Sequence, residues 1–106
     1  MERSLGGIRI IDMTHNQAGP ACTQILAFLG ADVIKLEEPK GGDVARRNMA
    51  DEHGDSLFFL VLNANKRSLT LNLKTDDGKR LFKQLVAGSD VLVENFSPGA
   101  LDRMGL

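Results

Sequence analysis

Two short apolar segments, Gly7-Ile-Arg-Ile-Ile-Asp-Met13 and Asp32-Val-Ile-Lys-Leu-Glu37, flank a stretch patterned for a helix. That arrangement constrains the fold more than any other feature of the chain. Strands joined through about ten helical residues lie parallel, because the crossover helix carries the chain back to the same end of the sheet. Cys22, Ile25, Leu26 and Leu29 recur at helical spacing and read as the buried face of the crossover, with Cys22 in the core rather than a nucleophile. Pro20 suits the first turn, where a missing N–H leaves nothing unpaired. Gly30 supplies the stop.

A second unit repeats the logic. Arg67 to Leu73 alternates apolar Leu69, Leu71 and Leu73 with polar residues, as a half-buried strand does. Thr75 caps a helix running to Ala87, with Asp76 and Asp77 in its first turn and Leu81, Phe82, Leu85 and Val86 on its apolar side. Gly88 ends it, and Asp90 to Glu94 forms a fourth strand. Ser56 to Asn63 fits either a buried strand or a short helix by periodicity, and the capping residues Asp55 and Ser56 favour helix. Phe28, Phe58, Phe59 and Phe82 read as core. Ser97 as cap and Pro98 at the first helical position begin a last helix. The expected fold class is α/β, a parallel sheet built from βαβ units. A doubly wound sheet would normally continue beyond Gly105-Leu106.

The totals bound the function. A chain of 106 residues suffices for one domain. A net charge of −1 gives no general attraction to nucleic acid or anionic membrane, so any anion site must be local. Trp and Tyr are absent, which removes the usual stacking platforms for single strands. One cysteine and two distant histidines, His15 and His53, leave no metal cluster to expect, and His53 reads as a loop residue. No apolar run reaches the roughly 20 residues that span a bilayer, and the start lacks a signal-peptide pattern, so the default location is cytoplasmic.

In open parallel sheets ligands sit outside the carboxyl ends of the strands. Three segments qualify: Thr14 to Pro20, Leu73-Lys74, and Asn95 to Pro98. The first places His15, Asn16 and Gln17 beside a helix start whose free N–H groups suit an anion or developing oxyanion; equally, it is a polar loop that caps its own helix. No GxGxxG follows the strand, so the dinucleotide fingerprint is absent. Lys66, Arg67, Lys74 and Arg103 together could neutralise a phosphate-rich ligand, while each alone is ordinary surface charge. Arg46-Arg47, within the long polar stretch Glu38 to Asp55, reads as lid, subunit contact or surface decoration. Phe96 either stacks on a nucleotide base or packs.

With those residues in view, the chain resembles the class III CoA-transferase family, which also contains carnitine CoA-transferases and α-methylacyl-CoA racemase. The resemblance rests on Ile-Asp-Met-Thr-His-Asn-Gln-Ala-Gly-Pro-Ala-Cys-Thr-Gln, Leu-Gly-Ala-Asp-Val-Ile-Lys-Leu-Glu, Asn63-Ala-Asn-Lys-Arg-Ser-Leu, Asp90-Val-Leu-Val-Glu-Asn-Phe and Pro98-Gly-Ala-Leu-Asp-Arg-Met-Gly, in order over essentially the whole chain. The His-x-Gln-Ala-Gly-Pro loop resembles the formyl-CoA:oxalate branch. The resemblance implies that residues 1–106 are the amino-terminal part of a Rossmann-like large domain, in a protein whose two subunits interlock as rings. It implies coenzyme A, as acyl-CoA, and a small carboxylate as ligands, with no metal. His15, Gln17 and Ala18 would lie near the thioester, with Gln17 orienting the intermediates. Leu71, Asn72, Leu73, Lys74, Asn95, Phe96 and Ser97 would line the adenosine and phosphate region, and Arg103 would bind phosphate.

The family chemistry is attack of an aspartate on the thioester, a covalent route that splits one hard transfer into easier steps. None of Asp12, Asp32, Asp43, Asp51, Asp55, Asp76, Asp77, Asp90 or Asp102 matches that aspartate's motif, which the resemblance places beyond Leu106. The chain alone is therefore expected to lack transfer activity. The remaining readings are a stand-alone CoA-binding module and a fragment that completes a partner subunit. Relatives often carry a base where Glu38 stands, so an acid there is expected to repel the CoA phosphates.

Overall fold

The structure, a computed structural model, describes residues 2–106. Strands β1 (Arg9–Asp12), β2 (Asp32–Glu37), β3 (Arg67–Thr70) and β4 (Val91–Val93) form one sheet in the order β3-β2-β1-β4. Every pairing is parallel, and Ile11 lies level with Ile34 on one side and Leu92 on the other. Helices α1 (Ala18–Phe28), α2 (Leu57–Asn63), α3 (Asp76–Ala87) and α4 (Ala100–Met104) connect and follow the strands. A single 3-10 turn, Val44–Arg47, interrupts the long polar stretch.

Alternation along the strands divides the core between two faces. Ile10 and Val33 pack with Ala27 and Ala31 on the side of α1. Ile11, Met13, Ile34 and Leu36 pack with Phe82 of α3, joined by Leu69, Leu71, Leu73, Leu85, Val86, Phe96 and Leu101. The chain steps outward from β1 to β2 to β3, then crosses back to the far side of β1 as β4. The point between β1 and β4 where this order reverses is where an open α/β sheet forms its crevice.

Helix α1 turns a different face to the core from the one its apolar spacing predicts. Its buried residues are Pro20, Thr23 and Ala27, whereas Cys22 is exposed, Ile25 is 59% exposed and Leu29 46%. Hydrogen bonding sets this rotation. Thr23 Oγ1 donates to the buried Asp12 carboxylate at 2.7 Å, and a buried charge without such donors costs far more than an exposed isoleucine. Phe28 is likewise outside the core, at 60% exposure, and Phe58 and Phe59 are only partly covered; Phe82 alone of the four is fully buried.

The last helix also starts later than its residue types suggest. Ser97 closes a turn by accepting from the Ala100 N–H at 3.0 Å, and Gly99, in the left-handed region with φ 74°, is the residue before the helix. Ser97 and Pro98 therefore precede α4. Ser56 and Thr75 cap α2 and α3 through their hydroxyls, accepting from Phe59 N–H and Gly78 N–H.

Candidate functional site

The carboxyl ends of all four strands converge on one pocket of about 530 Å³. Met13 and His15 follow β1; Leu36, Glu38, Pro39 and Lys40 end and follow β2; Asn72, Leu73 and Lys74 follow β3; Phe96 follows β4; Met104 closes it from α4. The interior is mostly apolar, with lysines at the rim. A volume of this size and lining is typical of small-molecule sites.

Of the residues singled out from sequence, His15, Asn72, Leu73, Lys74 and Phe96 meet in this pocket. Leu71 supports it from the core below. Gln17 and Ala18 are exposed at the start of α1, two and three residues past His15, outside the pocket wall. Ser97 lines a separate shallow hollow with Glu94 and Asp102, and Arg103 is exposed, donating to the Pro98 carbonyl at 3.1 Å. Asn95 acts as a staple instead of a wall. Its amide accepts from the His15 N–H and donates to the His15 carbonyl, both at 2.9 Å, so the loops after β1 and β4 are locked together across the crevice. The rings of His15 and Phe96 lie 5.4 Å apart, tilted by 53°. Phe96 thus packs on the core and still faces the pocket.

Two cations grouped with the ligand by sequence are placed elsewhere. Arg67 stands at the opposite, amino end of the strands and pairs with Asp32 at 2.7 Å, beside Arg9. Lys66 is buried under the first loop, where its ammonium reaches Asp12 Oδ2, the Pro20 carbonyl and Asn63 Oδ1, each at 2.9 Å. Arg46 forms two bonds to Glu37, at 2.7 and 2.8 Å, and covers the Phe59 ring at 3.9 Å. It fastens the polar stretch to β2. Glu38 does not face the pocket as a free charge, because its carboxylate accepts from the N–H groups of Lys40, Gly41 and Gly42. Those bonds, Lys40 first, hold its pKa below the usual value despite slight desolvation.

Sequence reasoning missed the polar layer beneath the first loop. Asp12 Oδ1 accepts from the Thr14 N–H at 2.8 Å and hydroxyl at 2.5 Å, and Oδ2 accepts from Thr23 and Lys66. Lys35 donates to the Thr14 carbonyl at 2.6 Å and to Asp43 Oδ2 at 2.7 Å. Asp43 Oδ1 accepts from the N–H groups of Asn16 and Ala45. Gly19 is needed against this layer, since a Cβ there would lie 2.8 Å from Thr14 Oγ1 and closer still to the rest of that side chain. The available signal was Lys35 and Glu37 inside a strand otherwise apolar, since charges within a buried strand demand partners. Lys40, Pro39 and Met104 were also missed. The rule that finds the other loops finds Pro39 and Lys40 too, as they directly follow β2.

Burial pushes the Asp12 carboxyl up, but hydrogen bonds from Thr14, Thr23 and Lys66 and the charge of Lys35 outweigh it and leave the pKa lowered. Asp43 is lowered in the same way, by Asn16, Lys35 and Ala45 against burial, and Glu37 by Arg46 and the Asp43 N–H. Burial drives the Lys66 ammonium down, only partly offset by Asp12. A carboxyl with a folded pKa below its unfolded one stabilises the fold above the unfolded pKa, and that share is lost as pH falls through the folded pKa. The urea midpoint is therefore expected to hold from about pH 7 to 5 and fall below about pH 4. An unchanged midpoint down to about pH 3 would show that these carboxylates add no net stability.

A four-stranded parallel α/β sheet, with a strand-end pocket at its reversal point and a polar-clamped first loop, is the class this geometry defines. The profile of CoA-transferase family III matches residues 5–106, and the chain belongs to that family. It is 58% identical over 106 residues to a formyl-CoA:oxalate CoA-transferase of Streptomyces avermitilis, covering 99% of this chain and 26% of that protein. A second such relative, from Afipia carboxidovorans, is 54% identical over 106 residues, with 25% of its length covered. Among solved structures, a CaiB/BaiF family protein from Brucella suis matches with a TM-score of 0.88 at 38% identity, over 100% of this chain and 29% of its own. The chain thus spans about a quarter of the length of these curated relatives. Among the described residues, no group of three or more His, Cys, Asp or Glu side chains is placed to hold a metal, and no helix is long and apolar enough to cross a membrane.

Proposed function

We propose that these residues form the CoA-binding part of an enzyme that transfers CoA between an acyl-CoA, such as formyl-CoA, and a carboxylate such as oxalate. The observation that carries this reading is the pocket itself, where four strand-end loops bring an apolar interior, Phe96, and the ammonium groups of Lys40 and Lys74 together. An apolar channel suits the pantetheine arm, and lysines at its rim suit phosphates. Two relatives named formyl-CoA:oxalate CoA-transferase, at 58% and 54% identity, support the substrate class. Residues 1–106 would be the first part of the large domain, in an interlocked homodimer, with Gln17 at the reacting end and Arg103 near phosphate. Glu38, the one carboxylate on the pocket wall, is held by three backbone N–H groups, so the attacking carboxylate would come from outside these residues.

Calorimetric titration with CoA tests the reading. Saturable binding is expected, weakened by about 10-fold or more in Lys74→Ala, the effect of losing one charge-assisted bond to phosphate. Absence of heat, or equal affinity in the variant, would reject the pocket as a CoA site. Exposed Ile25 and Phe28 of α1, Leu29 just after it, and Leu57, Leu60 and Val61 of α2 favour a second reading as well, a subunit-completing role. Sedimentation showing a stable monomer would count against it.

A further inference from the structure

The buried ion pair between Lys35 and Asp43 is the one element of the polar layer that reaches the backbone on both sides of His15. Lys35 Nζ holds the Thr14 carbonyl, Asp43 Oδ1 holds the Asn16 N–H at 2.8 Å, and the two side chains join at 2.7 Å. Both are essentially solvent-free, at 3% and 0% side-chain exposure. Asn16 adopts φ 70°, a region that non-glycine residues visit rarely, and its side chain is met by Asn48 Nδ2 at 3.3 Å. A backbone in that conformation persists only where its surroundings determine it.

We propose that Lys35 and Asp43 are positioning residues, which set the conformation of the Thr14–Gln17 loop and thereby where the Gln17 amide is presented. The inference rests on the CoA reading for the use made of Gln17, but the clamp itself stands on geometry alone. Neither side chain lines the pocket, so neither contacts the ligand held there. Their effect passes through the Asn16 and Thr14 backbone, and Asp43 Oδ1 also stands 4.0 Å from Nδ1 of the His15 ring. The pair differs in this from Asp12 and Lys66, which fasten Thr14 and Pro20 at the two ends of the loop and leave Asn16 untouched.

The test is amide hydrogen exchange and side-chain amide NMR on the full polypeptide, with and without CoA. In the unaltered protein the Asn16 N–H is expected to exchange at least about 10-fold more slowly than an unbonded amide, the minimum for a bond to a charged acceptor. Exchange at the free rate overturns the proposal even if every variant misfolds. In Lys35→Met and Asp43→Asn, Asn16 exchange should rise by about 10- to 100-fold while the amides of β1 keep their rates. The Gln17 side-chain amide signals should shift or broaden. Thr23→Val serves as the comparison, since it removes a buried bond to Asp12 without touching Asn16. If it disturbs Gln17 as much as Asp43→Asn does, the pair has no special positioning role. If CoA fails to bind the unaltered protein but the exchange pattern holds, the ligand reading falls and the clamp remains.

Discussion

Lys66→Met is expected to lower the unfolding free energy by about 3–5 kcal/mol, the usual result of removing one partner of a buried pair. The lysine side chain is 1% exposed and meets three oxygens, of Asp12, Pro20 and Asn63. Without it Asp12 keeps the Thr14 and Thr23 donors but loses the ammonium 2.9 Å away, and the Pro20 carbonyl at the start of α1 loses a donor. Domains of this size are stable by only about 5–15 kcal/mol, so the variant would sit close to unfolding. Urea denaturation followed by circular dichroism measures the change. A loss under about 1 kcal/mol would mean that Asp12 takes up a proton or a water at little cost, and that the ion pair is not what holds the loop. The complementary variant Asp12→Asn with Lys66→Met should recover part of the loss, because the neutral amide oxygen still accepts from Thr14 and no unpaired charge is left buried.

Gly78→Ala should have the second largest effect, destabilising by about 1–3 kcal/mol through overpacking at the third residue of α3. Alanine is the better helix former, so propensity alone predicts a gain of about 1 kcal/mol, and the two arguments give opposite signs. The structure decides between them. A Cβ at Gly78 would lie 2.7 Å from the Asn72 carbonyl carbon, nearer still to its oxygen, and 2.9 Å from Thr75 Oγ1. Backbone cannot swing aside as a flexible side chain can, so the helix start must move. That movement passes to Asn72, Leu73 and Lys74 on the pocket wall. CoA affinity is therefore expected to fall along with stability in Gly78→Ala. Increased stability would show that the Asn72–Thr75 turn yields freely, and unchanged affinity would separate that turn from the site.

The parts legible in the sequence were those governed by local chemistry. Thr75 caps α3 with its hydroxyl, Ser56 settles α2 as a helix, and strand–helix–strand spacing makes β1, β2, β3 and β4 parallel. The strand-end rule points to His15, Lys74 and Phe96, and the structure places them around one pocket. Arg67 shows the limit of the same reasoning. It is close to Lys74 in sequence, yet they stand at opposite ends of β3, since a strand carries its two ends apart.

Helical spacing marked Cys22, Ile25 and Leu29 as the buried face of α1, and the structure buries Thr23 and Ala27 instead. The pattern identified a helix correctly but not its rotation, because rotation answers to Asp12 across the sheet. Ser97 and Pro98 were likewise sound helix-start residues that the Gly99 turn left outside α4. Periodicity and capping act within a few residues and are written in neighbouring positions. The polar layer joins Asp12 to Lys66, Lys35 to Asp43, and His15 to Asn95, partners separated by 54, 8 and 80 positions. The amino-acid sequence by itself thus determined the α/β class, the caps of α2 and α3 and the strand-end loops that line the pocket. Tertiary structure alone decided which charges are buried as pairs and which stay free at the pocket rim. Desolvating a charge is tolerable only where folding has brought a partner within hydrogen-bond reach.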